Sequence, residues 1–175
     1  MTTENKAPDQ RSQNQRRRNN DSDEISLIEK VIKIRRVSKT VKGGRNLSFN
    51  AMVAVGDGAG RVGIALASAT AVPDAVQRSV QYAKNRMINI HLNKATIPHE
   101  FIYKFGSSKV MLKPASPGTG LIAGGGVRAV LEAVGVKDVV SKIYGSTNAI
   151  NVVYATMEAL KSMKDPKKEI SKRKA

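Results

Sequence analysis

With 175 residues, 41% of them hydrophobic, the chain is long enough for one ordinary domain or two small ones, and two small domains with separate cores are expected. Its formal net charge of +16 points to a polyanionic partner, while the absence of cysteine excludes a disulfide framework, a thiolate nucleophile and a thiol-ligated metal. No run approaches about 18 uninterrupted apolar residues, so a membrane partner is set aside in favour of nucleic acid.

Residues 1–24 are polar throughout and carry five basic and five acidic groups, too little apolar surface to offset the entropy of ordering, so a disordered arm is expected. Its triplet Arg16-Arg17-Arg18 reads equally as a phosphate contact or as part of a solvated tail. The segment lacks the apolar stretch of a secretory signal, which predicts a cytoplasmic location.

Residues 25–95 hold twelve basic and three acidic groups, so more than half of the excess charge sits in the first folded segment. Within it, Lys30 to Arg45 contains seven cations and no acid. Val31 to Val41 reads as a strand, and Lys42-Gly43-Gly44-Arg45 as the loop that joins it to the next. There Leu47, Phe49, Ala51, Val53 and Val55 alternate with Ser48, Asn50, Met52 and Ala54, the pattern of a half-buried strand. Gly56-Asp57-Gly58-Ala59-Gly60 is a hairpin turn, after which Val62, Ile64 and Leu66 keep the period of two. Pro73 marks a first helical turn, and Val76, Val80, Ala83 and Met87 follow at helical spacing. One helix over a three-stranded antiparallel sheet is expected across 25–93, with a short further strand over 88–92 and a linker over 93–98.

The second domain, 97–163, opens with a hairpin: His99 to Phe105, a turn at Gly106-Ser107-Ser108, and a return strand over Lys109 to Leu112. Pro114 to Gly126 is rich in Gly, Pro, Ser and Thr and reads as loop. Val127, Val130, Leu131 and Val134 make a helical stripe that Gly135 ends, and a strand over Asp138 to Ile143 follows. Thr147 or Asn148 caps a last helix in which Ile150, Val153, Met157 and Leu160 share a face, before a basic tail over 164–175. The fold class is α+β.

Two glycine patterns invite a nucleotide. Gly58-x-Gly60-x-x-Gly63 matches the dinucleotide fingerprint, but the residues after it alternate as a strand and open no helix for a pyrophosphate, so it reads as a hairpin. The run 117–126 does lead into a helix and resembles the glycine-rich loop of small-metabolite kinases, which makes a phosphotransferase the alternative reading. Gly126 is followed by Val127 and Arg128 where such kinases carry serines. His91 and His99 have no companions for a metal site, and the scattered acids form no catalytic pair. Neither cofactor nor small-molecule substrate is expected. The cationic segment is different, because Gly43 and Gly44 add backbone N–H donors between Lys42 and Arg45, suited to phosphate oxygens. Aromatics are 4% of the chain, so shape recognition of folded RNA is preferred over base stacking, with the cations held as one rigid ridge.

Four motifs then carry a resemblance: Arg36-Val37-Ser38-Lys39-Thr40-Val41-Lys42-Gly43-Gly44-Arg45, Val55-Gly56-Asp57-Gly58-Ala59-Gly60-Arg61-Val62-Gly63, Lys113-Pro114-Ala115-Ser116-Pro117-Gly118-Thr119-Gly120 and Tyr144-Gly145-Ser146-Thr147-Asn148-Ala149-Ile150-Asn151-Val152-Val153. In this order, from about Ile25 to Met163, the chain resembles the fifth ribosomal protein of the bacterial-type small subunit. The resemblance implies an N-terminal module similar to double-stranded-RNA-binding domains. It further implies a C-terminal α+β domain with a left-handed βαβ crossover, a topology related to the kinases named above.

As partners it implies small-subunit ribosomal RNA, the fourth and eighth small-subunit proteins and messenger RNA near its entrance channel. The implied roles are in decoding accuracy and message unwinding, with spectinomycin-resistance changes in the loop matching Val37 to Gly44. Arg35, Arg36, Ser38, Lys39, Lys42, Gly43, Gly44, Arg45 and Arg61 are the expected RNA contacts, and Lys109, Lys113 and Arg128 form a second set. The chain departs from the family pattern at Ala65, Ala67, Ser68 and Ala71, and again at Ala149 and Tyr154, where the family shows a proline and an arginine.

Overall fold

A computed structural model describes residues 27–164 together with 169, 171 and 172; the arm expected over 1–24 and most of the tail over 164–175 lie outside the described residues. Strands β1 (Ile28–Val41), β2 (Gly44–Gly56), β3 (Arg61–Ala69) and β4 (Ile88–Asn89) form an antiparallel sheet in that order. Helix α1 (Val72–Lys84) links β3 to β4 and lies on β2 and β3. The sheet is thus four-stranded, although β4 adds only the pairs Arg61 with Asn89 and Val62 with Ile88.

Pro73 stands in the first turn of α1, where its missing N–H leaves no hydrogen bond unmade, behind an extended N-cap at Ala71. The fully buried line is Ala75, Ser79 and Ala83, with Val76 and Val80 packed beside it. Short side chains let the helix approach the sheet closely enough for Ser79 to reach the ladder. Its Oγ accepts the Ala67 N–H at 3.1 Å and lies 2.8 Å from the carbonyl oxygens of Ala51 and Ala75.

Alternation in β2 predicts one buried face, yet from Ala51 to Gly56 both faces are buried. The supposed outward residues Met52 and Ala54 are apolar, and they turn toward the second half of the chain. That half contains β5 (Phe101–Phe105), β6 (Ser108–Pro114), β7 (Leu121–Ile122), helix α2 (Gly125–Val134), β8 (Val139–Gly145) and helix α3 (Ala149–Ser162). Its sheet has the order β5-β6-β8-β7, and α2 crosses between the parallel neighbours β7 and β8. The short strand β7 lies inside the stretch expected to be loop.

The first half keeps small clusters of its own beneath α1, while a larger cluster is shared between the halves. Met52, Ala54, Val62 and Ile64 from the first sheet pack in one cluster with Leu112, Val130, Leu131 and Val153 from the second half. Full burial of a Val, Leu, Ile or Met side chain contributes about 1.5–3 kcal/mol, so the shared cluster ties the halves together. The expected linker joins in, with Ile97 fully buried and Thr96 Oγ1 donating to Asp138 O at 2.6 Å.

The β2–β3 turn is the joint between the halves. Gly58 N–H and Gly60 N–H donate to Ala133 O and Val134 O at 3.1 and 3.0 Å, supplying partners for the last carbonyls of α2. A Cβ on Gly56 would collide with Ala133 O, and one on Gly135 with Gly58 O. Gly135 also ends α2 in the left-handed region at φ 92°.

Candidate nucleic-acid interface

Phe49 pairs with Ala69 at the last residue of β3, and beyond it β1 and β2 continue alone as a ribbon from the Val37–Ser48 pair to the Val41–Gly44 pair. These five pairs make an arm of roughly 15 Å at about 3.3 Å per residue. Lys42 and Gly43 form its tip. Gly43 sits at φ 94°, and a Cβ at Gly43 or Gly44 would meet no atom within 4 Å, so the tip is open on all sides. Arg36, Lys39, Lys42 and Arg45 are all exposed and make no ion pair among the described residues.

The single ridge expected from the sequence is not what the strand period produces. Successive side chains of a strand point to opposite faces, so the register places Arg35 and Lys39 on the face turned toward the second half. Arg36 and Ser38 lie on the other face, together with Arg45, which pairs with Thr40. The ribbon therefore carries cations on both faces and at its tip.

Three of the expected contacts already have partners. Arg35 Nη2 donates to Asn148 Oδ1 at 2.7 Å. Arg61 Nε donates to Asp57 Oδ2 at 2.7 Å, while Asp57 Oδ1 accepts the N–H groups of Ala59 and Arg61 at 2.8 and 2.9 Å. The Asp57 side chain is only 5% accessible. Burial works against its charge, but the Arg61 guanidinium and the two backbone donors together hold its carboxyl below the ordinary carboxylate range. Arg128 Nε reaches Glu132 Oε1 at 3.0 Å and Lys30 Nζ reaches Glu132 Oε2 at 3.1 Å; the Arg128 hydrogen bond, then that of Lys30, lowers the Glu132 pKa.

In the second half Lys109 and Lys113 project from the open face of β6, opposite the buried Val110 and Leu112. Cross-strand pairing sets Lys104 beside Lys109 and Lys142 beside Met111. Sequence reasoning missed Lys104 and Lys142, because their neighbours are fixed by register between strands and not by local pattern.

The glycine run 117–126 holds an anion of its own. Gly118 N–H and Gly120 N–H both donate to Asp138 Oδ1, at 3.0 and 2.9 Å, and Asp138 is buried. Two of the run's amides are thereby engaged inside the chain. Among the described residues no group of three His, Cys, Asp or Glu side chains is placed to hold a metal, and His99 packs on Phe101 with ring centroids 5.9 Å apart.

Against known families, residues 27–91 match the N-terminal domain of ribosomal protein S5 and residues 103–174 match its C-terminal domain. The chain belongs to the ribosomal protein S5 family. Curated relatives, each named small ribosomal subunit protein uS5, include that of Chloroflexus aurantiacus, 55% identical over 139 residues covering 79% of this chain and 78% of the relative. Those of Dehalococcoides mccartyi and a Psychrobacter species are 48% and 52% identical, covering 89% and 84% of this chain and 90% and 89% of the relatives.

The resemblance carried by the four motifs is borne out, and the S5 family is one of structural ribosomal proteins without enzymatic activity. Two of the positions expected to depart from the family pattern make contacts of their own. Ser68 Oγ lies 2.6 Å from Asn50 Oδ1, and Tyr154 stacks on Phe105 with centroids 5.4 Å apart.

Proposed function

We propose that this chain is a structural constituent of the small ribosomal subunit and that it binds small-subunit ribosomal RNA through the β1–β2 arm. Arg36, Lys39, Lys42 and Arg45 contact phosphates there, with Ser38 and the backbone of Gly43 and Gly44 adding neutral donors. The observation that carries this reading is the arm itself: two strands without a third, carrying Lys39, Lys42 and Arg45, with Arg36 at its base and no acidic side chain between Lys30 and Arg45. Unpaired cations on a rigid ribbon have no stabilising task inside the chain, and a polyanion that meets both faces neutralises them together. The names of the relatives support the ribosomal setting.

Residues 25–93 form the RNA-binding part in this proposal, and residues 97–163 face protein neighbours, the fourth and eighth small-subunit proteins. Lys109 and Lys113 serve as a secondary anionic contact on the open sheet face. Contributions to decoding accuracy and to the messenger entrance are part of the same proposal, which membership of the S5 family supports. No helix among the described residues is long and apolar enough to cross a membrane. The proposed place is the ribosome in the cytoplasm, which the names of the relatives support.

The decisive experiment combines co-sedimentation with small subunits and filter binding of ribosomal RNA across a salt series. Lys42→Ala should weaken binding by about 1 kcal/mol and reduce the salt dependence by roughly one counterion. An unchanged slope, with the variant folded, would remove the arm from the interface.

A further inference from the structure

We infer that Arg35 is a positioning residue, a brace that fixes the direction of the arm against the second half of the chain, and not one of its phosphate contacts. The strand period puts Arg35 on the face of β1 that looks toward α2 and α3. Its Nη2 donates to Asn148 Oδ1 at 2.7 Å, a bond between residues 113 positions apart. Asn148 is the N-cap of α3, yet its side chain makes no capping hydrogen bond to that helix. Its Nδ2 instead reaches Asn151 Oδ1 at 3.4 Å and its backbone N–H reaches Ser146 Oγ at 3.3 Å, an arrangement that presents Oδ1 to the guanidinium.

A second tie lies on the same face of β1. Lys30 pairs with Glu132 of α2 at 3.1 Å, on the other side of the irregularity between Val31 and Lys33. Bulges bend and twist a ribbon, so one tie alone would leave a pivot between it and the arm. With Lys30 held below the bulge and Arg35 above it, the pivot is spanned. Above Arg35 the ribbon soon loses its third strand, and its direction is set at the base. Between brace and helix, Ile150 of α3 closes a narrow cleft against Lys33, Asn50 and Met52.

The consequence is geometric. Cations at the tip of a two-stranded arm meet a rigid RNA only if the arm leaves the body at a fixed angle, and small tilts at the base are amplified at Lys42. Arg35 would then act on affinity through the arm's orientational freedom, without neutralising a phosphate.

The 175-residue chain contains no cysteine, so Thr40→Cys and Lys137→Cys allow two spin labels to be placed, one near the arm's tip and one on the second half. Arg35→Met and Asn148→Ala should each broaden the distance distribution between them, and the double variant should broaden it no further. In RNA filter binding both should weaken affinity at an unchanged salt slope, whereas Lys42→Ala lowers the slope by about one. The inference is overturned if Arg35→Met leaves the distance distribution sharp, or if it lowers the slope as Lys42→Ala does while Asn148→Ala has no effect. The slope arm of this test rests on the proposed RNA contact of the arm. The label distances do not, so a failure of that proposal and a failure of the brace are told apart.

Discussion

Two turns of this chain read almost alike: Lys42-Gly43-Gly44-Arg45 at the end of β1, and Gly56-Asp57-Gly58-Ala59-Gly60-Arg61 at the end of β2. Both are glycine-rich hairpins beside an arginine. In the first, added Cβ atoms at Gly43 and Gly44 would meet nothing, and its cations are unpaired among the described residues. In the second, Asp57 takes up Arg61 and two backbone amides, and Gly58 and Gly60 spend their N–H groups on the end of α2. One acidic residue separates a turn whose donors face outward from a turn whose donors are used inside the molecule. Glycine and cation together do not identify a ligand loop; what matters is whether the chain supplies its own anion. The loop 117–126 repeats the lesson, with Asp138 accepting the N–H groups of Gly118 and Gly120.

The strongest way to break this comparison is to add a methyl group to each kind of turn. Gly135→Ala places a Cβ against Gly58 O at a residue with φ 92°, so both collision and backbone strain oppose it. Urea unfolding should show a loss on the order of 3 kcal/mol, the range of changes that force buried backbone apart. Gly43→Ala meets no atom and carries only the cost of its φ of 94°, about 1 kcal/mol. Equal losses in the two variants would mean that the joint is no tighter than the tip.

Charge gives a second, smaller separation. Asp57→Asn removes a nearly buried carboxylate that holds three N–H groups and should cost about 2 kcal/mol near neutral pH. Because the folded carboxyl titrates below its unfolded value of about 4, its contribution is complete above that value and is lost as pH falls through the lower folded one. The advantage of the native chain over Asp57→Asn should therefore hold from neutral pH down to about pH 5 and shrink as the pH falls further. A gap that stays constant through that fall would show that the charge of Asp57 is not what orders the turn.

Much of this contrast could be read from residue order, and the part that could not has a specific cause. Strand and helix periods located β1 to β3, α1, α2 and α3, because each has an apolar face of the right spacing. Missed were facts that depend on what another segment does: the second buried face of β2, which needs α2 to cover Met52 and Ala54, and the burial of Ser79, which a polar letter in a helix does not announce. The charge run Lys30 to Arg45 was legible as an RNA-binding candidate from its lack of acids. Its division between two faces follows from the period of two, which β1 shares with β2. Arg61, Arg128 and Arg35 were ranked by charge alone, and their partners Asp57, Glu132 and Asn148 appear only in three dimensions.

The finest test sets one arginine from each turn against the other. Arg45→Ala and Arg61→Ala each remove a single positive charge, so a purely electrostatic account of RNA binding predicts the same change in salt dependence for both. The structure predicts a split. Arg45 pairs with Thr40 on the open arm and makes no ion pair among the described residues, so its loss should lower the salt slope by about one and change stability by less than about 0.5 kcal/mol. Arg61 is committed to Asp57, and its loss leaves a nearly buried carboxylate with two backbone donors and no counter-charge. Its variant should be less stable by about 1 kcal/mol with a salt slope close to that of the native chain. If the two slopes fall together, Arg61 leaves Asp57 for RNA on binding, and the joint between the halves is then part of the interface.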